Sequence, residues 1–259
     1  MPPISASDRV HLELIKTACS NCNLRELCLP LGLKKEELAK FDDLVSTRKR
    51  IMRGDHLYHT DQSFDSIYAV RSGFFKTCVL DEAGREQVTG LHMTGELLGL
   101  DGISTETHSC NAVALVDSEV CTIPFSHLED LSREIHTLQK HFHKVMSREI
   151  IRDHGVMLLL GTMRAEERLA AFLLNLSQRF TARGYSPAEF NLRMTRVEIG
   201  SYLGLKLETV SRAFSHFQES GLIEVQHKHI RILDIPGLKK LMVHQQPHNV
   251  RKSCRRGFL

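Results

Sequence analysis

The 259-residue sequence predicts an α+β protein: an N-terminal antiparallel β-roll, a long helix after it, and a C-terminal winged helix-turn-helix. Three observations carry that expectation. Between Ile51 and Pro124, short β-branched or aromatic runs alternate with turn residues. After Pro124, apolar positions advance by three and four residues, the helical period. From Thr195, a capped helix, a turn glycine and a second amphipathic helix precede a short hairpin.

Residues 1–18 read as a loose lead-in, followed by a loop carrying Cys19, Cys22 and Cys28. Leu33, Leu38, Phe41 and Leu44 then recur at helical spacing. Strands are expected at Ser66–Val70, Phe74–Leu80, Glu86–His92, Ala112–Val116 and Val120–Ile123, punctuated by turn glycines such as Gly73, Gly84, Gly95 and Gly99. The polar turn from Asp81 to Arg85 joins two of these strands. Beyond Pro124, Phe142, Met146, Ile150, Asp153, Met157 and Leu160 form a heptad-like seam containing one acid. Its apolar members suit either packing on the chain's own roll or a dimer interface, and the buried acid fits the interface better. A second amphipathic helix is expected from about Ala165 to Phe180, with a connector at residues 182–187.

Thr195 and Glu198 have capping-box spacing, so a helix should open there and end near Leu203, with Gly204 turning the chain. The next helix begins near Lys206 or Leu207. Ile199, Leu203, Leu205, Val210, Phe214 and Phe217 would lock the two helices together. Leu222–Val225 and His229–Leu233 then pair as a wing. Glu208, Ser211 and Arg212 share the outer face of the second helix. Arginine there can make a bidentate bond to guanine and glutamate can accept from cytosine, although Glu208 and Arg212 also have the spacing of an ordinary surface pair. The expected divisions are 1–32 for the cysteine segment, 33–125 for the roll, 126–161 for the long-helix region, 162–240 for the winged module and 241–259 for a basic tail.

Charge is unevenly placed along the chain, whose net value is +3. Residues 1–160 hold 18 basic and 23 acidic side chains, against 16 and 8 in residues 161–259. A basic C-terminal part suits a polyanion such as DNA, from whose phosphates it releases counterions. The absence of an 18-residue apolar run and of a signal-peptide pattern points to a cytoplasmic protein with no membrane partner. No Ser/His/Asp set, phosphate-cradling glycine loop or dinucleotide fingerprint suggests an enzyme.

Seven cysteines in a reducing compartment serve as ligands, redox sensors or core residues. Three on one short loop and a fourth at Cys121 can converge on a soft metal centre, and thiolates suit zinc or an iron–sulfur cluster. Cys78 and Cys110 lie in strand-like runs, as small core residues do.

These features together resemble the oxygen-responsive FNR regulators of the cAMP receptor protein (Crp/Fnr) superfamily, the ANR-type branch above all. The resemblance runs from residue 19 to about 235. Its most specific parts are Cys19-Ser-Asn-Cys22 with Cys28-Leu-Pro30, Val70-Arg-Ser-Gly73, Glu166-Glu-Arg-Leu-Ala170, Tyr202-Leu-Gly-Leu205 and Glu208-Thr-Val-Ser-Arg212. It implies a roll of the cyclic-nucleotide-binding type holding one [4Fe–4S] cluster per subunit on Cys19, Cys22, Cys28 and Cys121. It also implies a homodimer along the long helix, and a winged helix reading a TTGAT-N4-ATCAA-type palindrome through Glu208, Ser211 and Arg212. Without oxygen such a dimer regulates genes of anaerobic metabolism; oxygen degrades the cluster and inactivates it. Relatives contact RNA polymerase through a loop placed like residues 81–85. Cyclic nucleotide is not expected: Gly95-Glu96 is present, but Cys110-Asn111 stands where cAMP-binding relatives carry Arg-Ser. A same-superfamily regulator sensing oxidants by thiol–disulfide exchange, without metal, is the alternative. Two departures stand out: Lys206 at the recognition-helix N-cap, where relatives often have Ser or Thr, and the basic tail with Cys254.

Overall fold

The computed structural model describes residues 19, 22, 24, 27–45 and 47–243; the lead-in at 1–18 and the tail from 244 onward, Cys254 included, lie outside the described residues. The chain divides into two compact units, Met1–Glu149 and Ile150–Leu259.

In the first unit, helix α1 (Lys35–Leu44) precedes strands β1 (Thr47–Ile51), β2 (His56–Tyr58), β3 (Ser66–Ser72), β4 (Phe74–Leu80), β5 (Glu86–Met93), β6 (Leu97–Leu98), β7 (Asn111–Ala114) and β8 (Ser118–Pro124). Helices α2 (Phe125–Glu134) and α3 (His136–Thr162) follow. The strands form two four-stranded sheets, ordered β1-β8-β3-β6 and β2-β7-β4-β5, with every ladder antiparallel.

The period-two geometry of β3 and β8 sets up two cores. Tyr68, Val70 and Val120 face one cluster with Tyr58, Phe75 and Leu98 from the other strands. Ile67, Ala69, Cys121 and Ile123 face the opposite way, into a cluster with Leu29, Phe41, Leu128, Leu138 and Phe142 from the cysteine loop and the helices. Burial on both faces explains why Ser66–Val70 reads as a near-continuous apolar run. It also turns Cys121 toward the helical layer.

Several expected bounds shift. The run assigned to Ala112–Val116 pairs only over Asn111–Ala114. Strand β1 was not expected because Thr47-Arg-Lys-Arg-Ile51 reads as polar; it is a sheet edge paired only with β8, so no alternating core pattern is imposed on it. Helix α1 begins at Lys35, with Leu33 buried in the preceding turn. Gly73 has φ 96° between β3 and β4, and a Cβ there would run into Ser118, so the turn demands glycine.

The second unit contains the C-terminal part of α3, then α4 (Ala165–Thr181), β9 (Glu189–Asn191), α5 (Arg196–Leu203), α6 (Leu207–Glu219), β10 (Ile223–Gln226), β11 (His229–Ile232) and α7 (Ile235–Val243). Its sheet is ordered β10-β11-β9. Strand β9 and helix α7 were missed by sequence reading. A three-residue strand carries too little periodicity, and α7 runs through the position where the basic tail was expected to begin.

Candidate metal centre and nucleic-acid interface

The cysteine loop is wound by local turns. Cys22 N–H donates to the Cys19 carbonyl at 3.1 Å, Cys28 N–H to Leu24 at 3.0 Å and Leu31 N–H to Cys28 at 3.3 Å. The Asp42 carboxylate on α1 accepts from the Cys19 N–H. Leu29, fully buried among Phe41 and Leu138, pins the loop to the helical layer.

Cys19, Cys22, Cys28 and Cys121 line one cavity, whose apolar walls include Phe41, Val45, Ala69 and Ile123 and whose rim carries Arg71. Cys121 reaches it from β8, about a hundred residues from the loop. Register explains the meeting: Cys121 lies opposite Ala69 and Arg48 in its two ladders, on the face turned toward the loop. Burial pushes the Cys28 thiol up to about 12 and raises Cys19 and Cys121 as well; for Cys121 the nearby Arg71 and Arg48 guanidinium groups work against that rise. At neutral pH the bare thiols of these three are therefore protonated, and a metal must displace protons to bind. Among the described residues, no three His, Cys, Asp or Glu side chains are gathered tightly enough to hold a single metal ion. The four cysteines share a cavity wall.

Helix α3 divides the six expected seam residues. Phe142 is 8% exposed and belongs to the first unit's core, and Met146 packs against the same cluster. Ile150 and Met157 are 55% and 68% exposed, Asp153 is exposed, and Leu160 is half-buried. The private-core alternative thus describes the first two, while the rest remain available. Ile151 and Leu158, also exposed, flank them and were missed, because they fall one position off the heptad that was followed.

In the second unit the expected capping box is present: Thr195 Oγ1 accepts from Glu198 N–H at 3.2 Å, and Glu198 Oε2 accepts from Thr195 N–H at 2.7 Å. Gly204 ends α5 at φ 63°. At Gly200 a Cβ would sit 2.6 Å from the Leu205 carbonyl, so only glycine lets the turn close. Ile199, Leu203, Val210, Phe214 and Phe217 are buried between the helices, with Leu205 half-buried. Arg168 adds a clamp that sequence reading missed, donating to the carbonyls of Met163, Leu203 and Leu160 at 2.8, 3.0 and 2.7 Å. Its signal was the charged residue inside an otherwise amphipathic motif.

Glu208 and Arg212 are exposed and Ser211 is half-buried on α6. Among the described residues, Glu208 and Arg212 form no ion pair with each other. The wing is a hairpin pairing Gln226 with His229, and His227 takes φ 56° at its tip. Lys206 occupies the α6 N-cap and makes no side-chain cap.

Known proteins share both halves of this fold. Residues 167–241 match the Crp-like helix-turn-helix domain and residues 48–134 match the cyclic nucleotide-binding domain. The transcriptional regulatory protein btr of Bordetella pertussis is 49% identical over 90% of this chain and 97% of its own length. The chain belongs to the Crp/Fnr family, as an FNR/ANR-type transcription regulator. The transcriptional activator protein anr of Pseudomonas aeruginosa is 47% identical over 83% of this chain and 88% of its own. For the fumarate and nitrate reduction regulatory protein of Escherichia coli K12 the values are 44%, 87% and 90%. Among solved structures, FixK2 from Bradyrhizobium japonicum superposes with a TM-score of 0.70 at 30% identity, covering 75% of this chain and 96% of that one. The Crp/Fnr roll of this chain keeps Gly95-Glu96, yet the Glu96 carboxylate accepts from Met93 N–H at 3.1 Å. Asn111 Oδ1 accepts from Thr60 N–H at 3.0 Å, and Cys110 Sγ lies 3.5 Å from an Asp101 carboxylate oxygen.

Proposed function

We propose that this Crp/Fnr regulator senses oxygen, and that its DNA-binding form is a homodimer carrying one [4Fe–4S] cluster per subunit on Cys19, Cys22, Cys28 and Cys121. The observation that carries the reading is the convergence of these four thiols, from one loop and one distant strand, on a single cavity. A zinc ion would need its sulfurs at ~2.3 Å from one point; four cysteines spread around a cavity suit a larger group, in which four irons each take one thiolate. When bound, such a group supplies four iron–thiolate bonds and sensitivity to oxygen.

The chain's own residues do the rest. Asp42 and Leu29 hold the loop against α1 and the helical layer, so that order at the cysteines bears on the core containing Leu138 and Phe142 of α3. Further along that helix, Ile150, Met157 and Leu160 offer apolar surface to a second copy. Asp153 opposes closure in the metal-free state, since two facing carboxylates repel and lose hydration. Pairing puts two α6 helices on the two half-sites of a TTGAT-N4-ATCAA-type palindrome, where Glu208, Ser211 and Arg212 read bases. Lys206, unfavourable at a helix N-terminus in isolation, would there face a phosphate. The Asp81–Arg85 turn, folded on itself by Asp81 accepting from Ala83 and Arg85 N–H groups, is the surface offered to RNA polymerase. The occupied hydrogen-bonding groups of Glu96, Cys110 and Asn111 argue against a cyclic nucleotide, and no described helix is long and apolar enough to cross a membrane, in keeping with work in the cytoplasm.

The metal-free thiol-sensing alternative is less well supported, because reactive cysteines have lowered pKa values and those of Cys19, Cys28 and Cys121 are raised. Anaerobic purification tests the proposal. A brown protein with stoichiometric iron and sulfide is expected, losing colour in air and losing both metal and operator binding in a Cys121→Ser variant. A colourless anaerobic preparation refutes it.

A further inference from the structure

One guanidinium group, that of Arg71, lines the thiol cavity, and a second, that of Arg48, acts on Cys121 from the neighbouring strand; the four-cysteine set explains neither. Arg71, on β3, brings Nη1 to 3.8 Å from Cys22 Sγ and Nε to 3.4 Å from Glu119 Oε2. Arg48, on β1, stands directly across the ladder from Cys121. Its Nε lies 3.8 Å from Glu119 Oε1, too far for a hydrogen bond. That Nε is buried and has no hydrogen-bond partner among the described residues. Glu119 precedes Cys121 by two residues on β8 and so projects from the same face, between the two arginines.

A buried N–H without an acceptor is costly, and native structures seldom keep one unless a group absent from the chain takes it. Two cations flank one carboxylate on this side of the cavity, while the Asp42 carboxylate lies on the Cys19 side. A group bound by four thiolates is anionic and presents sulfur acceptors there.

We infer that Arg71 and Arg48, steered by Glu119, are positioning residues of the metal centre whose N–H groups hydrogen-bond its sulfurs and slow its oxidation by dioxygen. The inference rests on the cluster reading above. Its direction follows from charge: donors to sulfur draw electron density away and raise the reduction potential, so the group gives up electrons less readily. Removing the donors should lower the potential and speed loss in air.

The test uses the full-length protein and its R71Q, R48Q and R71Q/R48Q variants, loaded anaerobically with ferrous iron and sulfide. Iron and sulfide content, reduction potential by dye titration, and the rate of visible-absorbance loss in air-saturated buffer are read for each. Equal loading is expected, with a lowered potential and decay about tenfold faster in the double variant, the single variants falling between. R71K keeps the charge without the planar fork and should restore only part of the slow decay. Decay and potential equal to the wild type at equal loading overturn the role of the arginines and leave the cluster reading standing. A wild type that takes up neither iron nor sulfide overturns both. Should the arginine variants fail to load, E119Q keeps both guanidinium groups and removes the negative charge that steers them; unchanged decay and potential there count against the inference.

Discussion

A single side chain can be placed correctly from sequence and still have its setting decided elsewhere. Cys110 reads as a core thiol and is one, 8% exposed, yet its neighbours are Asp101 and the Tyr58 hydroxyl, brought together by the roll. Burial and the Asp101 carboxylate push its pKa up to about 12 from an ordinary 9.0. The folded state therefore holds this proton more tightly than the unfolded chain. The stability that the shift contributes is complete below about pH 9 and is lost as pH rises toward 12. Denaturant unfolding at pH 8 and pH 10 should show a steeper alkaline loss in the wild type than in Cys110→Ala, by at most ~1.4 kcal/mol per pH unit. Equal slopes would remove Cys110 from the account. Arg212 presents the reverse case, since its exposure follows from helix phase alone. Arg212→Ala should cost about 1–3 kcal/mol of discrimination between operator and scrambled DNA. Equal losses on both, measured by fluorescence anisotropy at fixed salt, would make Arg212 a phosphate contact only.

At the level of elements, α3 is the instructive case. Its heptad pattern was legible, but the sequence could not tell which turns face the chain's own roll. The structure commits Phe142 to the first unit's core and leaves Ile150, Asp153 and Met157 exposed. The two groups should respond differently to truncation. Phe142→Ala should destabilise the metal-free protein by about 3–5 kcal/mol in urea unfolding, whereas Met157→Ala should leave unfolding almost unchanged and reduce the dimer fraction of the loaded protein. Asp153→Ala should raise the dimer fraction of aerobic, metal-free protein in analytical ultracentrifugation; no rise would end the repulsion account. Helix-turn-helix boundaries were legible to within a residue because local chemistry fixes them: Thr195 with Glu198 starts α5 and Gly204 in the left-handed region stops it. Strand β1 was not, because Arg48, Lys49 and Arg50 carry no apolar alternation and pair only once β8 is beside them.

For the whole molecule, the proposed function requires that metal state, self-association and DNA affinity move together. Treating the anaerobically loaded protein with an iron chelator should convert dimer to monomer in sedimentation. Operator affinity should fall in parallel, because one subunit reaches only one half-site. Retention of a dimer after iron is gone would separate the cysteines from assembly and leave the two properties as unrelated features of one chain.

The sequence by itself determined the local matters: the strand-rich and helical regions, the capped helix-turn-helix, the outward face of Glu208 and Arg212, and the three-cysteine loop. Each depends on periodicity or on hydrogen bonds within a few residues, which neighbours in the chain specify. Only the tertiary structure decided what Cys121 meets, that Arg48 and Arg71 share Glu119 beside it, and where the apolar seam of α3 leaves the private core. Those are contacts between distant segments, set by sheet register and by which face of β8 turns toward the helices, and a one-residue slip in that register would undo them all.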